Sequence, residues 1–288
     1  MKRNLILAIA LILPLTFAVP TGSANVKTSI AIIDTAIDTS KVNVIHEVCI
    51  LYEIRCPNRK AFMEGPGAAS LPASQLYKNG FQHGTIMSTI ASTISKDVNI
   101  VFIRVVAMTN TGRQGYYDEN LINDALQWIV ANRAKFNIVA VSASFGNHSR
   151  LKTGTAYCPI RETLRSSIIS LQNLGVATVF AAGNNYDTAR VDTPACIPEA
   201  VAVGSVGERG NVENYSNGGP DLDFYALGTF DTAIGRAVGT SAATAAFTAY
   251  WAKNYKGSYQ ATYDYLKSIG KFAEGNGVKT NLVIDIFG

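Results

Sequence analysis

The stretch Gly239-Thr240-Ser241-Ala242-Ala243-Thr244-Ala245-Ala246-Phe247 places a serine directly before an alanine-rich run. Because alanine is the strongest helix former, the run predicts a helix that carries Ser241 on its first turn. The N–H groups of a first turn lack intrahelical partners and lie at the positive end of the helix dipole, where a developing oxyanion is stabilised. The alternative is an ordinary buried helix with a threonine or serine cap. The choice depends on whether the chain also supplies a base, an orienting carboxylate and a second oxyanion donor.

The composition of the chain limits the possible size and number of domains and argues against some classes of partner. The chain has 288 residues, of which 48% are hydrophobic, enough to bury a large core in one α/β domain. Charged residues make up only 16%, which argues against disorder. The formal net charge of +4 includes Lys2 and Arg3, and no basic cluster or aromatic ladder follows them. We therefore predict no nucleic-acid partner.

The first 24 residues have the layout of a secretory signal peptide. Two basic residues precede an apolar run from Leu5 to Phe17, and small residues follow up to Ala24. A membrane anchor is the alternative, but the run is too short to span a bilayer and Pro14 interrupts it. We predict cleavage after Ala24, export to the periplasm or the extracellular space without a membrane anchor, and a single domain over residues 25–288.

After export, the four cysteines of the chain would be in an oxidising compartment, where disulfides form. They allow three pairings, of which we favour Cys49 with Cys56, a short local loop, and Cys158 with Cys196, which joins two later loops. His46 lies near the first pair and raises a metal site as the alternative, but three scattered ligands without a fourth are a weak set. We predict two disulfides and no metal.

Apolar runs of strand length alternate with segments of helical spacing along the rest of the chain. Ser29-Ile30-Ala31-Ile32-Ile33-Asp34 has the pattern of a strand buried on both faces. The alternation predicts βαβ units with right-handed crossovers, and hence an α/β fold with a doubly wound, mostly parallel sheet flanked by helices. Residues 39–80 are predicted to be irregular. Further strands are predicted near residues 99–106, 138–142, 176–180, 201–204 and 222–226, and helices after Thr85 and over 121–129, 164–174, 241–256 and 260–266.

Four polar residues lie at element ends that the predicted fold brings to one edge of the sheet. Three of them have an ordinary explanation when taken alone: a strand-end turn for Asp34, helix capping for His83 and a plain turn for Asn184. Together with Ser241 they supply a nucleophile, a base, an orienting acid and an amide donor. Histidine titrates near neutrality, a carboxylate would hold its tautomer, and the Asn184 amide would face the oxyanion.

The sequence resembles the subtilisin-like serine proteases in four motifs and in their order. Ile32-Ile33-Asp34-Thr35 resembles the aspartate motif of that family, and His83-Gly84-Thr85 resembles its histidine motif. Ala181-Ala182-Gly183-Asn184 resembles the oxyanion segment, and Gly239-Thr240-Ser241 the nucleophile motif. The order of acid, base and nucleophile is that of the family. The resemblance covers nearly all of the chain after the leader and implies a subtilisin-like three-layer fold.

The resemblance also implies how a substrate binds. A polypeptide would lie in the cleft as an added strand, held by main-chain hydrogen bonds. We expect a monomer that uses no cofactor. By resemblance, one edge of the cleft is formed by Ser144, Phe145 and Gly146, the other by the loop that holds Gly112 and Gly115, and the pocket for the residue before the cleaved bond is walled by Ala182 and Gly183.

The predicted function is therefore that of an exported serine endopeptidase that works through an acyl-enzyme. One alternative is a catalytically inactive binding module on the same fold, which the four intact positions argue against. The other is a peptide ligase or cyclase that passes the same acyl group to an amine. Nothing in the sequence separates this second alternative from hydrolysis.

Overall fold

A computed structural model shows the fold of most of the chain. It describes residues 27–52, 55–78, 80–108, 118–148, 158, 162–272 and 282–285. The predicted signal peptide over residues 1–24 lies outside the described residues, as does the predicted cleft loop with Gly112 and Gly115.

A ten-stranded sheet forms the middle of the molecule, with the order β11-β12-β8-β7-β6-β5-β1-β4-β2-β3. All its pairings are parallel except β2 with β3 and β11 with β12. The strands are β1 (Ser29–Asp34), β2 (His46–Ile50), β3 (Phe62–Glu64), β4 (Asn99–Arg104), β5 (Ile138–Ala143), β6 (Ala177–Ala181), β7 (Val201–Val206), β8 (Phe224–Leu227), β11 (Lys271–Phe272) and β12 (Leu282–Val283), while β9 (Thr229–Thr232) and β10 (Gly235–Val238) form a separate antiparallel pair.

The first strand occupies the point where the sheet changes its winding direction. β1 pairs in parallel with β4 on one side and with β5 on the other, and the later strands continue outward from β5. Ligands of open α/β sheets bind in the crevice outside the carboxyl ends of strands at such a switch point. The fold therefore places Asp34, the last residue of β1, at the expected position of a site.

Helices cover both faces of the sheet. The helices are α1 (Ala73–Leu76), α2 (His83–Ile94), α3 (Glu119–Phe136), α4 (Glu162–Asn173), α5 (Thr240–Lys253) and α6 (Tyr259–Ile269). Helices α2 and α5 pack together on one face, and α3 and α4 on the other. Alternate residues of β1 pack on opposite faces of the sheet. Ile30 and Ile32 face the core under α2 and α5, and Ala31 and Ile33 face the core under α3 and α4. Helices on both faces of a mostly parallel sheet confirm the predicted three-layer fold, and burial on both faces explains the apolar run from Ile30 to Ile33.

Two segments differ from the prediction. Residues 39–80, predicted to be irregular, contain β2, β3 and α1. The pattern of β2 is interrupted by Glu47, whose buried carboxylate accepts hydrogen bonds from a following loop, so an apolar run is not visible in the sequence. The β9–β10 hairpin directly before α5 is short and largely polar, and no turn signal or alternation marks it.

Both predicted disulfides are confirmed. Cys49 is bonded to Cys56 and Cys158 to Cys196, with sequence separations of 7 and 38 residues. The first closes the loop that follows β2, and the second joins the segment before α4 to the loop that follows β6. Within the described ranges, no helix combines the length and the apolar character needed to cross a membrane.

Candidate active site

Asp34 and His83 form a close pair at the carboxyl edge of the sheet. Nδ1 of His83 lies 2.8 Å from Oδ1 and 2.9 Å from Oδ2 of Asp34. The Asp34 residue is only 1% exposed, and the backbone N–H of Thr35 donates to its Oδ1 at 2.6 Å. A carboxylate held in this way fixes the tautomer in which Nδ1 of His83 carries the proton. The other ring nitrogen, Nε2, is then the one that can accept a proton.

Thr35 and Gly84 explain why the histidine reaches the aspartate. The Thr35 hydroxyl donates to the carbonyl of Phe81 at 2.8 Å and accepts from the N–H of Gly84 at 3.0 Å, which ties the end of β1 to the start of α2. A Cβ on Gly84 would lie 2.5 Å from the ring of Phe102 and 2.6 Å from the carbonyl of Ala36. Only glycine therefore allows α2 to approach the sheet so closely at the residue after His83.

The electrostatic setting of His83 raises its pKa above the ordinary value. Burial of the ring lowers the pKa, but the charge of Asp34 and the hydrogen bond to it raise it by more. The imidazolium form of His83 is thus favoured by its partner. A base takes up a proton during the reaction, so an environment that favours the imidazolium form assists that step.

Ser241 lies on the first turn of α5, as predicted, and its backbone N–H has no hydrogen-bond acceptor within the described ranges. Thr240 N–H donates to Asn184, and the N–H groups of Ala242 and Ala243 both donate to the carbonyl of Gly239. Among the described residues, none accepts from the N–H of Ser241. Gly239 has φ 142° and ψ 170°, a conformation that favours glycine, and it turns the chain from β10 into the helix. The start of α5 therefore presents one unpaired donor beside the serine hydroxyl.

The Asn184 side chain is oriented by Thr240. Its Oδ1 accepts from the backbone N–H of Thr240 at 2.9 Å and from the Thr240 hydroxyl at 3.1 Å. The same hydroxyl accepts from the N–H of Gly183 at 3.3 Å, which links the end of β6 to the start of α5. Since Oδ1 is fully used and Asn184 is exposed, Nδ2 is left as a donor toward the solvent side of the site.

A cleft of about 410 Å³ joins one of the two predicted cleft edges, Ser144 to Gly146, to the pair of Asp34 and His83. Ser144 connects the cleft to the serine helix, since its hydroxyl donates to the carbonyl of Ser241 at 3.3 Å. In the described structure no hydrogen bond joins Ser241 to His83, and such bonds are often long without a bound substrate. The lining includes Asp34, Thr35, His83, Val106, Ser144, Phe145 and Gly146, while Ala182 and Gly183 lie at the end of β6 and Gly112 and Gly115 are outside the described residues.

A second His–Asp pair supports the oxyanion segment and was missed in the sequence. Asp192 is 3% exposed, and its carboxylate accepts from Asn185, from Asn217 at 2.9 Å and from Nδ1 of His148 at 2.9 Å. Burial raises the pKa of Asp192, against the effect of these hydrogen bonds. Asn217 also accepts from the N–H of Asn185 at 2.8 Å. No local pattern marks Asp192, because its partners come from three separate loops.

The sequence model of the subtilase family matches residues 25–267. The chain belongs to the subtilase family. Its match to curated relatives is partial: it is 29% identical over 157 residues to subtilisin-like protease 2 of Trichophyton equinum, and the match covers 51% of this chain and 33% of the relative. This subtilase thus spans about a third of the length of the curated relatives that it matches.

Solved structures support the same fold over nearly the whole chain. A cold-adapted subtilisin-like serine proteinase superposes with a TM-score of 0.65 at 20% identity, covering 89% of this chain and 87% of that one. A protease from Pseudoalteromonas arctica superposes with a TM-score of 0.71 at 18% identity, covering 90% and 88%. At these identities the likeness establishes the subtilisin-like fold.

Proposed function

We propose that this subtilase is an exported serine endopeptidase with Ser241 as nucleophile, His83 as general base and Asp34 as the residue that orients it. The observation that carries the proposal is the paired contact of Nδ1 of His83 with both carboxylate oxygens of Asp34, at 2.8 and 2.9 Å. A buried carboxylate aimed at one ring nitrogen prepares the other for proton transfer. Membership of the family supports the same assignment.

In the proposed reaction, Oγ of Ser241 attacks the carbonyl carbon of a peptide bond while Nε2 of His83 takes the hydroxyl proton. The tetrahedral oxyanion is met by the free N–H of Ser241 and by Nδ2 of Asn184. His83 then gives its proton to the leaving amine, and an acyl-enzyme remains on Ser241. Water activated by His83 hydrolyses this ester and restores the enzyme.

The substrate in this proposal is a polypeptide bound as an extended strand along the segment Ser144–Gly146. That segment follows β5, and its Ser144 lies beside the serine helix, so a peptide strand laid against it would pass Ser241. We propose that the enzyme acts as a monomer. Export, to the periplasm or beyond the cell, is supported by the leader pattern and by the two disulfides.

A single substitution tests the proposal. Ser241→Ala should abolish cleavage of a casein or peptide-library substrate and labelling by a serine-directed phosphonate, while the circular dichroism spectrum stays that of the wild type. Ser268→Ala, on the exposed side of α6, is the matched control and should keep full activity. Undiminished cleavage by Ser241→Ala contradicts the assignment. A wild-type protein that does not label is a binding module instead, and mass analysis of products made with an added amine separates hydrolysis from ligation.

A further inference from the structure

Arg104 is a buried arginine at the same sheet edge as the active site, and the proposed reaction does not use it. It is the last residue of β4, it lies beside Asp34 in the parallel register, and it is only 3% exposed. Its side chain makes one hydrogen bond to the described part of the chain, from Nε to the carbonyl of Val106 at 3.1 Å. The two terminal nitrogens of the guanidinium therefore have no protein acceptor among the described residues.

The charge of Arg104 is likewise unpaired within the described ranges, where no carboxylate oxygen lies within 4.0 Å of it. Burial lowers the pKa of Arg104 to about 10, so the group is still a cation at neutral pH. A buried ion without a partner is costly, and proteins normally compensate it with a counter-charge. The described chain does not supply that counter-charge.

The guanidinium of Arg104 borders a cavity of about 600 Å³. A second cation, Arg55, lines the same cavity from the loop closed by the Cys49–Cys56 disulfide. Arg55 is exposed whereas Arg104 is buried, so one cation lies at the rim and the other at the floor. The remaining lining residues that the structure describes are Pro57, Gly67, Ser70, Leu71, Pro72, Gln75 and Met108, and none of these is acidic.

One buried acid on the neighbouring strand, Glu47, is already engaged in hydrogen bonds. It lies on β2, next to β4 in the sheet, and is 6% exposed. Its Oε1 accepts from the N–H of Gly67 at 2.9 Å, and its Oε2 accepts from the N–H of Ala69 at 3.0 Å and from the hydroxyl of Ser70 at 3.1 Å. These bonds hold the Glu47 carboxylate on the loop that contributes Gly67 and Ser70 to the cavity wall, and no ion pair joins it to Arg104 among the described residues.

We propose that this cavity binds a small oxyanion, a carboxylate or phosphate group, between Arg104 and Arg55. The planar fork of a guanidinium matches two oxygens of either group, and a largely buried arginine strengthens the charge-assisted hydrogen bonds. Val106 lines the catalytic cleft, and its carbonyl accepts the hydrogen bond from Nε of Arg104, so the two sites are neighbours on one sheet edge. The proposal does not depend on the proteolytic function.

The test measures anion binding directly in the full chain carrying Ser241→Ala, which prevents self-digestion. Inorganic phosphate and succinate are titrated separately by calorimetry in chloride buffer at constant ionic strength. The two titrations show whether the cavity binds a phosphate group or a carboxylate group. At least one should bind saturably with one site per chain. Arg104→Gln should weaken that binding at least tenfold, and Arg55→Gln several-fold.

Lys60→Gln is the matched control, because it removes one exposed positive charge from the turn just after the disulfide loop, and Lys60 is not among the residues that line the cavity. The affinity of the Lys60→Gln variant for the anion should stay within twofold of that of the parent chain. If Arg104→Gln does not fold, Arg55→Gln decides the question, since Arg55 is on the surface. The proposal is overturned if neither anion binds saturably, or if Arg55→Gln binds as tightly as Lys60→Gln.

Discussion

Thr240 donates two hydrogen bonds to the side-chain carbonyl of Asn184, from its backbone N–H at 2.9 Å and from its hydroxyl at 3.1 Å. The residue before the proposed nucleophile thus determines which way the proposed oxyanion donor points. The serine helix and the oxyanion segment are joined through the side chain of Thr240. A substitution of Thr240 should therefore change the catalytic rate although it alters no reacting group.

The first prediction concerns this link. Asn184→Ala should lower kcat about 10²–10³-fold with little change in KM, a loss typical of removing one oxyanion donor. Thr240→Val removes the hydroxyl, which donates to Asn184 and accepts from the N–H of Gly183, at about 1 kcal/mol for each bond, and should lower kcat about tenfold or less. Steady-state kinetics on a peptide substrate measures both. Thr240→Ser retains the hydroxyl and should behave as the wild type, so an equal loss in the Ser and Val variants argues against this role.

The second prediction concerns pH. His83 must be neutral to act as a base, so activity should rise with pH through the pKa of His83, which Asp34 raises above the ordinary value. Asp34→Asn removes the raising charge and should move this acid limb to lower pH, while kcat falls about 10⁴-fold because the tautomer is no longer held. The pH profile of kcat/KM checks both effects. An acid limb that stays in place would show that another group controls it.

The third prediction concerns the approach of α2 to the sheet. Gly84→Ala would place a methyl group 2.5 Å from the Phe102 ring and 2.6 Å from the Ala36 carbonyl, so the helix must shift. We expect a loss of about 1–3 kcal/mol in the free energy of unfolding, together with reduced kcat because His83 is the adjacent residue. Denaturant unfolding in the Ser241→Ala background and kinetics in the active chain measure the two effects. Thr93→Ala, on the exposed side of the same helix, should change neither.

The fourth prediction concerns the longer disulfide. Cys158 and Cys196 are separated by 38 residues, and closing a loop of that length restricts the unfolded chain by about 4 kcal/mol in the chain-entropy description. The double variant Cys158→Ala/Cys196→Ala, in the Ser241→Ala background, should lose about that much free energy of unfolding. Denaturant midpoints compared with and without reducing agent in the parent chain provide the control. A loss below about 1 kcal/mol would contradict the prediction.

Much of the fold could be predicted because its signals are local. The strand Ser29–Asp34 is apolar from Ile30 to Ile33, and this follows from burial on both faces of the sheet. The strand β2 escaped prediction for the opposite reason. Its Glu47 is buried only because Gly67, Ala69 and Ser70 supply donors from some twenty residues away. A polar residue whose partners are distant in sequence looks like a loop residue.

The sequence by itself determined the family resemblance, the alternation of strands and helices and the identity of the four proposed catalytic residues, since each rests on short motifs or on periodicity. Only the tertiary structure decided how those residues are supported. It brought Thr35 to the start of α2, Thr240 to Asn184, and Asp192 to His148. Among the described residues, it also left the guanidinium of Arg104 without a counter-charge at the floor of a cavity. The physical reason is that hydrogen-bond partners and counter-charges depend on distances in space, which chain separation does not encode.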